Sequence, residues 1–98
     1  MKISAVIITF NEEKNIRRCL ESLMNVVDEI LVVDSFSTDA TESICNEFNA
    51  RFEQRPWKDY SDQKNFANSL VSGDYILSID ADEALSDELK KSILEIKA

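Results

Sequence analysis

The chain has 98 residues, 44% hydrophobic and 31% charged, with a net charge of −8, one glycine, one proline and no histidine. That is enough for one globular domain, burying roughly 60–65% of its unfolded surface, with no linker or low-complexity tract. The acidic balance argues against binding nucleic acid or an anionic membrane through general electrostatics, and the missing histidine excludes Ser-His-Asp and Cys-His nucleophiles and His-containing zinc sites.

Met1-Lys2-Ile3-Ser4 runs directly into a strand pattern, too short for a signal peptide. No apolar run approaches transmembrane length, so a cytoplasmic protein is expected. Ile3 to Thr9 is apolar and β-branched, as in a strand buried on both faces. Asn11 is a candidate helix cap, with Glu12 and Glu13 in the first turn. Ile16, Cys19, Leu20 and Leu23 form one apolar helix stripe. Glu29 to Asp34 reads as a second strand ending in an acid. Ser35 to Asp39 is a turn, and a second helix runs to about Asn49 with Thr41, Ile44, Cys45 and Phe48 on one face. Cys19 and Cys45, both on apolar helix faces, read as buried thiols. Arg51 to Gln54 is a short third strand and Pro56 to Tyr60 a loop. Ser61 caps a third helix that turns Phe66, Ala67, Leu70 and Val71 inward. Tyr75 to Ile79 reads as a buried fourth strand that stops in Asp80-Ala81-Asp82-Glu83. Ser86-Asp87-Glu88 opens a fourth helix with Leu89, Ile93 and Ile96 inward.

The order βαβαβαβα predicts an α/β protein with a mostly parallel four-stranded sheet flanked by helices. The ends of the first, second and fourth strands then share one rim, where ligands of open α/β sheets sit. That rim collects Thr9, Asn11, Asp34, Ser35, Asp80 and Asp82. Neither a G-x-G-x-x-G turn nor a phosphate loop is present, so a diphosphate would lack the usual glycine-rich backbone cradle. Two carboxylates one residue apart repel and call for a cation. Mg²⁺ or Mn²⁺ held by Asp82, with Asp80 nearer a ribose or the metal's water shell, would fill both needs. A turn cluster ahead of the fourth helix is the plainer explanation of the same acids. Asp34 is placed to accept hydrogen bonds from a base or ribose, or simply to cap the second helix. Lys64, in the first turn of the third helix, opposes the helix dipole and calls for a ligand or an acid partner. Trp57 and Tyr60 line a pocket or pack over the sheet edge.

Four segments in this order carry a resemblance: Ile7-Ile8-Thr9-Phe10-Asn11-Glu12-Glu13, Leu31-Val32-Val33-Asp34-Ser35 with Ser37-Thr38-Asp39-Ala40-Thr41, Gln63-Lys64-Asn65-Phe66-Ala67, and Gly73 to Glu83. Together they resemble the N-terminal, donor-binding half of family-2 glycosyltransferases, a Rossmann-like half of the GT-A fold. Arg55-Pro56-Trp57 and Gln63-Lys64-Asn65 make the chain most similar to the branch with lipopolysaccharide core glycosyltransferases. The resemblance implies a nucleotide-sugar donor of the UDP-hexose kind and metal-dependent transfer, with inversion, to a hydroxyl of a saccharide or glycolipid acceptor in cell-surface polysaccharide synthesis. It implies donor contacts from Thr9, Asn11, Asp34, Lys64 and Asp80, and metal binding by Asp82 with Asp80. It also implies an enzyme working at the inner face of the membrane, with peripheral association of the full protein. Two departures stand out. Phe36 occupies a position where many relatives have glycine and where the turn calls for φ > 0. The chain also ends at Ala98, before the acceptor half that carries the general base, so residues 1–98 are expected to form a truncated donor domain that self-associates through an exposed strand edge. Neither Glu83 nor Asp87 is assigned as that base. An aspartyl phosphotransferase using Asp80 and Asp82, and a non-catalytic binding module, are the competing readings.

Overall fold

The structure, a computed structural model, describes residues 1–97. Four strands, β1 (Ile3–Thr9), β2 (Glu29–Asp34), β3 (Arg51–Gln54) and β4 (Tyr75–Ser78), alternate with α1 (Ile16–Leu23), α2 (Thr41–Glu47), α3 (Tyr60–Leu70) and α4 (Asp87–Lys97). The sheet order is β3-β2-β1-β4 and every pair is parallel. The expected parallel α/β architecture is therefore present.

β1 and β2 hold the centre, and their apolar runs, Ala5 to Ile8 and Ile30 to Val33, are what two covered faces require. On one face Ile16, Cys19, Leu20 and Leu23 of α1, with Ile44 and Cys45 of α2, pack over Ala5, Ile7 and Val32. On the other, Ala67 of α3 packs on Val6, Leu31 and Val33, with Phe66, Leu70 and Val71 partly buried around it. Both thiols are buried, and burial pushes each up to about 12.

Gly73 sits where the chain crosses β1 on its way into β4. A Cβ there would lie 2.4 Å from Ser4 Oγ and 2.7 Å from the Ser4 backbone nitrogen. Its N–H donates to Ser4 Oγ at 2.9 Å, so glycine is required by close approach.

Several expectations are corrected. β4 is an edge strand, not a buried one: Tyr75 is 61% and Ile76 44% exposed, because only β1 lies beside it. In α4 only Ile93 is buried, while Leu89 and Ile96 face outward. Asn11 caps no helix. It adopts φ 51°, and α1 starts at Ile16. Asp59, not Ser61, caps α3 by accepting from Asp62 N at 2.7 Å. Phe36 does take a left-handed φ of 60°.

Candidate functional site

The register sets Thr9 opposite Asp34 and Asp34 opposite Gln54, so β1, β2 and β3 end at one level. β4 lies beside β1 with Ser78 opposite Val6, and the Ile79 N–H to Val6 carbonyl bond (3.2 Å) carries the pairing on toward the acidic turn.

Asp34 lies at the centre of the rim and is wholly buried. Its Oδ1 accepts from Thr9 Oγ1 at 2.6 Å and Ser37 Oγ at 2.5 Å, and its Oδ2 from Ser37 N at 2.7 Å and Gln54 Nε2 at 3.5 Å. A buried carboxylate with donors on both oxygens is fixed in place. The Thr9 and Asp34 side chains are thus directed into the protein.

The β1–α1 turn is locked to the β2–α2 turn. The backbone N–H groups of Asn11, Glu12 and Glu13 donate to Ser37 Oγ (2.7 Å), Thr41 Oγ1 (2.9 Å) and Asp39 Oδ2 (3.2 Å). Asn11 Oδ1 returns a bond by accepting from Thr38 N at 2.9 Å. Burial tends to raise the Asp39 carboxyl, but its bonds from Thr41 and the backbone outweigh that and hold it below the ordinary range. These amides, which a phosphate loop would offer to a ligand, are committed within the protein.

The acidic turn after β4 is held from beneath by α1. Arg18 Nη2 donates to the Asp82 carbonyl at 2.8 Å, and Leu85 N donates to Ser22 Oγ at 3.0 Å. Within the turn, Glu83 N donates to the Asp80 carbonyl at 2.9 Å, and Asp80 N to Glu83 Oε1 at 3.1 Å. The backbone is pinned while the Asp80 and Asp82 side chains stay exposed. Tyr60, at the start of α3, donates its hydroxyl to Asp80 Oδ1 at 3.5 Å, and Lys64 Nζ lies 5.1 Å from the Tyr60 ring centroid. Lys64 is in the second turn of α3, half-buried, and has no carboxylate partner among the described residues. One ring thus links Lys64 to the acidic tip.

On the other flank, Phe10, Ser35 and Trp57 line an open cleft of about 380 Å³ beside the tips of β1 and β2. Phe10 and Trp57 are 59% and 54% exposed, two aromatic surfaces facing solvent at a strand rim. Behind Ser35 lies the buried Gln63, whose Nε2 donates to Ser35 Oγ at 3.0 Å. Phe10 and Gln63 were not candidates from sequence. The signal for Gln63 was available: it occupies the inner stripe of α3 with Phe66, Ala67 and Leu70, where a polar residue is out of place.

Among the described residues no three acidic or thiol side chains converge into a ready-made cage. Asp80 and Asp82 are hard oxygen donors at an open tip, which suits an ion that takes the rest of its shell from water and ligand phosphates.

A parallel sheet carrying an aromatic cleft, exposed carboxylates and a nearby lysine on one rim has the arrangement of the ligand-binding α/β proteins. The particular family follows from comparison. Residues 4–97 match the model of glycosyl transferase family 2, and the chain belongs to that family. An uncharacterized glycosyltransferase of Rickettsia felis is 52% identical over 92 residues, covering 94% of this chain and 32% of that protein. The lipopolysaccharide core biosynthesis glycosyltransferase LpsC of Rhizobium meliloti is 38% identical over 103 residues, covering 100% of this chain and 38% of that protein. The crystal structure of glucosyl-3-phosphoglycerate synthase from Mycobacterium tuberculosis, in complex with Mn²⁺, UDP and glucosyl-3-phosphoglycerate, matches with a TM-score of 0.67 at 30% identity. It covers 82% of this chain and 33% of that one. The chain thus spans about a third of the length of the proteins it matches. Membership agrees with the resemblance carried by the sequence motifs and leaves no place for the aspartyl phosphotransferase reading. No helix among the described residues is long and apolar enough to cross a membrane.

Proposed function

We propose that residues 1–98 form the donor-binding part of an inverting, metal-dependent glycosyltransferase that takes a sugar from a nucleotide donor of the UDP-hexose kind. The acceptor is a hydroxyl of a saccharide or glycolipid, in cell-surface polysaccharide or lipopolysaccharide synthesis. The observation that carries this is the shared rim: two exposed carboxylates and Lys64 on one flank, an aromatic cleft on the other. The relatives' glycosyltransferase names and the UDP and Mn²⁺ of the mycobacterial structure support it.

On this reading the cleft takes the nucleoside, with Phe10 and Trp57 offering apolar faces to the base. Thr9 and Asp34 act by holding the cleft floor, and Asn11 by fixing the neighbouring turn. Asp82, with Asp80, holds Mg²⁺ or Mn²⁺, which when bound neutralises charge on the leaving diphosphate. Lys64 adds a cation at the same place. No residue of this chain is assigned as the base that deprotonates the acceptor.

Titration calorimetry with UDP, with and without Mn²⁺, tests the proposal. Binding that requires Mn²⁺ and weakens at least tenfold in Asp82→Asn, with the thermal midpoint unchanged, is expected. A folded chain that binds UDP equally well without metal, or not at all, would sink it.

A further inference from the structure

Burial alternates along the acidic tip. Ile79 and Ala81, and then Leu85, are buried in the same cluster as Ile16, Cys19, Leu20 and Leu23 of α1, while Asp80, Asp82 and Glu83 are exposed. The buried positions fasten the turn to α1, and the two aspartates, two positions apart, come out on the open side. Three side chains of α1 also reach the backbone of the segment. Cys19 Sγ donates to the Asp80 carbonyl at 3.7 Å, Ser22 Oγ accepts from Leu85 N at 3.0 Å, and Arg18 Nη2 donates to the Asp82 carbonyl at 2.8 Å.

The choice of partner by Arg18 stands out. Arg18 is exposed, and its charge and those of Asp80, Asp82 and Glu83 are all felt at the Cys19 thiol. A guanidinium in that company would ordinarily close on a carboxylate. Among the described residues Arg18 forms no ion pair, and its one hydrogen bond goes to a backbone carbonyl. Its neighbour Arg17 does pair, with Glu47 at 2.7 Å. Two consequences follow. The carboxylates of Asp80 and Asp82 stay clear of the guanidinium. The peptide plane that carries the Asp82 carbonyl is held in one orientation, so part of the ordering cost of binding at the turn is met beforehand.

We propose that Arg18 is a positioning residue for the divalent cation: it grips the backbone of the acidic turn and leaves the carboxylates of Asp80 and Asp82 free to ligate. The proposal rests on the reading of those acids as the metal site and goes beyond it by naming what holds them. A positive side chain beside a cation site is otherwise unfavourable, because like charges repel. On charge alone, removing Arg18 would tighten cation binding. If Arg18 positions the turn, removing it weakens cation binding. The two accounts predict opposite signs.

The test is titration calorimetry of UDP into the 98-residue chain over a series of Mn²⁺ concentrations, giving the Mn²⁺ concentration at which UDP binding is half complete. Arg18→Met keeps an apolar stem and removes the guanidinium; it is expected to raise that concentration about threefold or more, with the thermal midpoint unchanged. Arg18→Lys is expected to lie within about twofold of wild type, because one donor is enough for one carbonyl. Arg17→Met removes an equal charge from the same helix without touching the turn and is expected to change nothing. An unchanged or lower Mn²⁺ requirement in Arg18→Met overturns the proposal, as does an equal loss in Arg18→Lys or Arg17→Met. A fall in the thermal midpoint in place of the Mn²⁺ shift marks the bond as structural only and overturns it too. A wild-type chain that binds UDP equally well without Mn²⁺, or not at all, overturns the metal-site reading and this proposal with it.

Discussion

Asp34 gives the most direct handle on how the rim is built. All of its partners are donors: Thr9 Oγ1, Ser37 Oγ and Ser37 N at 2.5–2.7 Å, and Gln54 Nε2 at the long limit of 3.5 Å. Asp34→Ala strips three short bonds from a fully buried position. Bonds to a charged group contribute about 1.5–3 kcal/mol each, but the same substitution also removes a buried charge that was costly to desolvate, so a net loss of about 3 kcal/mol is expected. Asp34→Asn keeps one oxygen and lets the Thr9 and Ser37 hydroxyls turn to accept from the amide, so about 1–2 kcal/mol is expected. A domain of this size has about 5–15 kcal/mol in total, so both variants should still fold. Urea unfolding at pH 7, followed by circular dichroism, measures both. The coupling is checked with Thr9→Val, which should cost about 1 kcal/mol alone and close to nothing in the Asp34→Ala background, where its partner is already gone. Losses below about 0.5 kcal/mol for both Asp34 variants, or strict additivity with Thr9→Val, would refute the view that this carboxylate holds the two turns together.

Gly73→Ala places a methyl 2.7 Å from the Ser4 backbone nitrogen, so β4 must shift, and a loss of about 1–3 kcal/mol in the same urea assay is expected. Stability should also fall on acidification. The Asp28 carboxyl is lowered by its bonds from Ile3 N and Lys97, and Glu29 by its bonds from Ser4 and Ser72. A folded pKa below the unfolded one means stability present above about pH 4 and lost as pH falls through the folded value. Urea midpoints at pH 6 and pH 3.5 should differ, and Asp28→Asn should reduce the difference. Self-association is expected through β4, whose Tyr-Ile-Leu-Ser edge carries no charge, whereas β3 at the opposite edge is guarded by Arg51 and Glu53. Light scattering at rising concentration should show a growing mass that Ile76→Lys suppresses; a strict monomer throughout would count against it.

The parts legible in the sequence are those decided by local pattern. The apolar, β-branched run of β1 reads as a strand covered on both faces, and the Ile30 to Val33 run of β2 reads as a strand that ends in an acid. The Ile16-Cys19-Leu20-Leu23 stripe likewise fixed the face of α1. Apart from the α3 cap, the misses involve a partner distant in the chain. The apolar run of β4 reads the same at an edge as in the middle, and only the sheet order distinguishes them. Asn11 has the chemistry of a cap, but its bonds go to Ser37 and Thr38, about 26 residues away. An acid at a strand end looks identical whether it faces a ligand or the interior, and Asp34 faces inward because Thr9, Ser37 and Gln54 bring donors from three segments. Asp59 and Ser61 are both good caps, and two residues of spacing do not choose between them.

The locked turns bear on why carboxylates should serve an anionic ligand at all. In glycine-loop proteins the turn after the first strand offers free N–H groups to phosphate. Here the three N–H groups from Asn11 to Glu13 are spent on Ser37, Thr41 and Asp39, and Glu12 and Glu13 add negative charge beside them. A diphosphate approaching that turn would meet three committed amides and two carboxylates, with the exposed Lys14 as the one cation against them in the turn. The favourable place is the other flank, where Lys64 rests on Tyr60 and Tyr60 reaches Asp80. A lone lysine cannot balance a diphosphate next to Asp80 and Asp82, so on the proposed reading the acids must first be converted from repulsive to attractive. A divalent cation does that with the same two oxygen donors that otherwise repel the ligand. The interlocking of the turns and the need for a metal are then one design, and freeing the turn amides by replacing Ser37 or Thr41 would not create a metal-independent site while Glu12 and Glu13 remain.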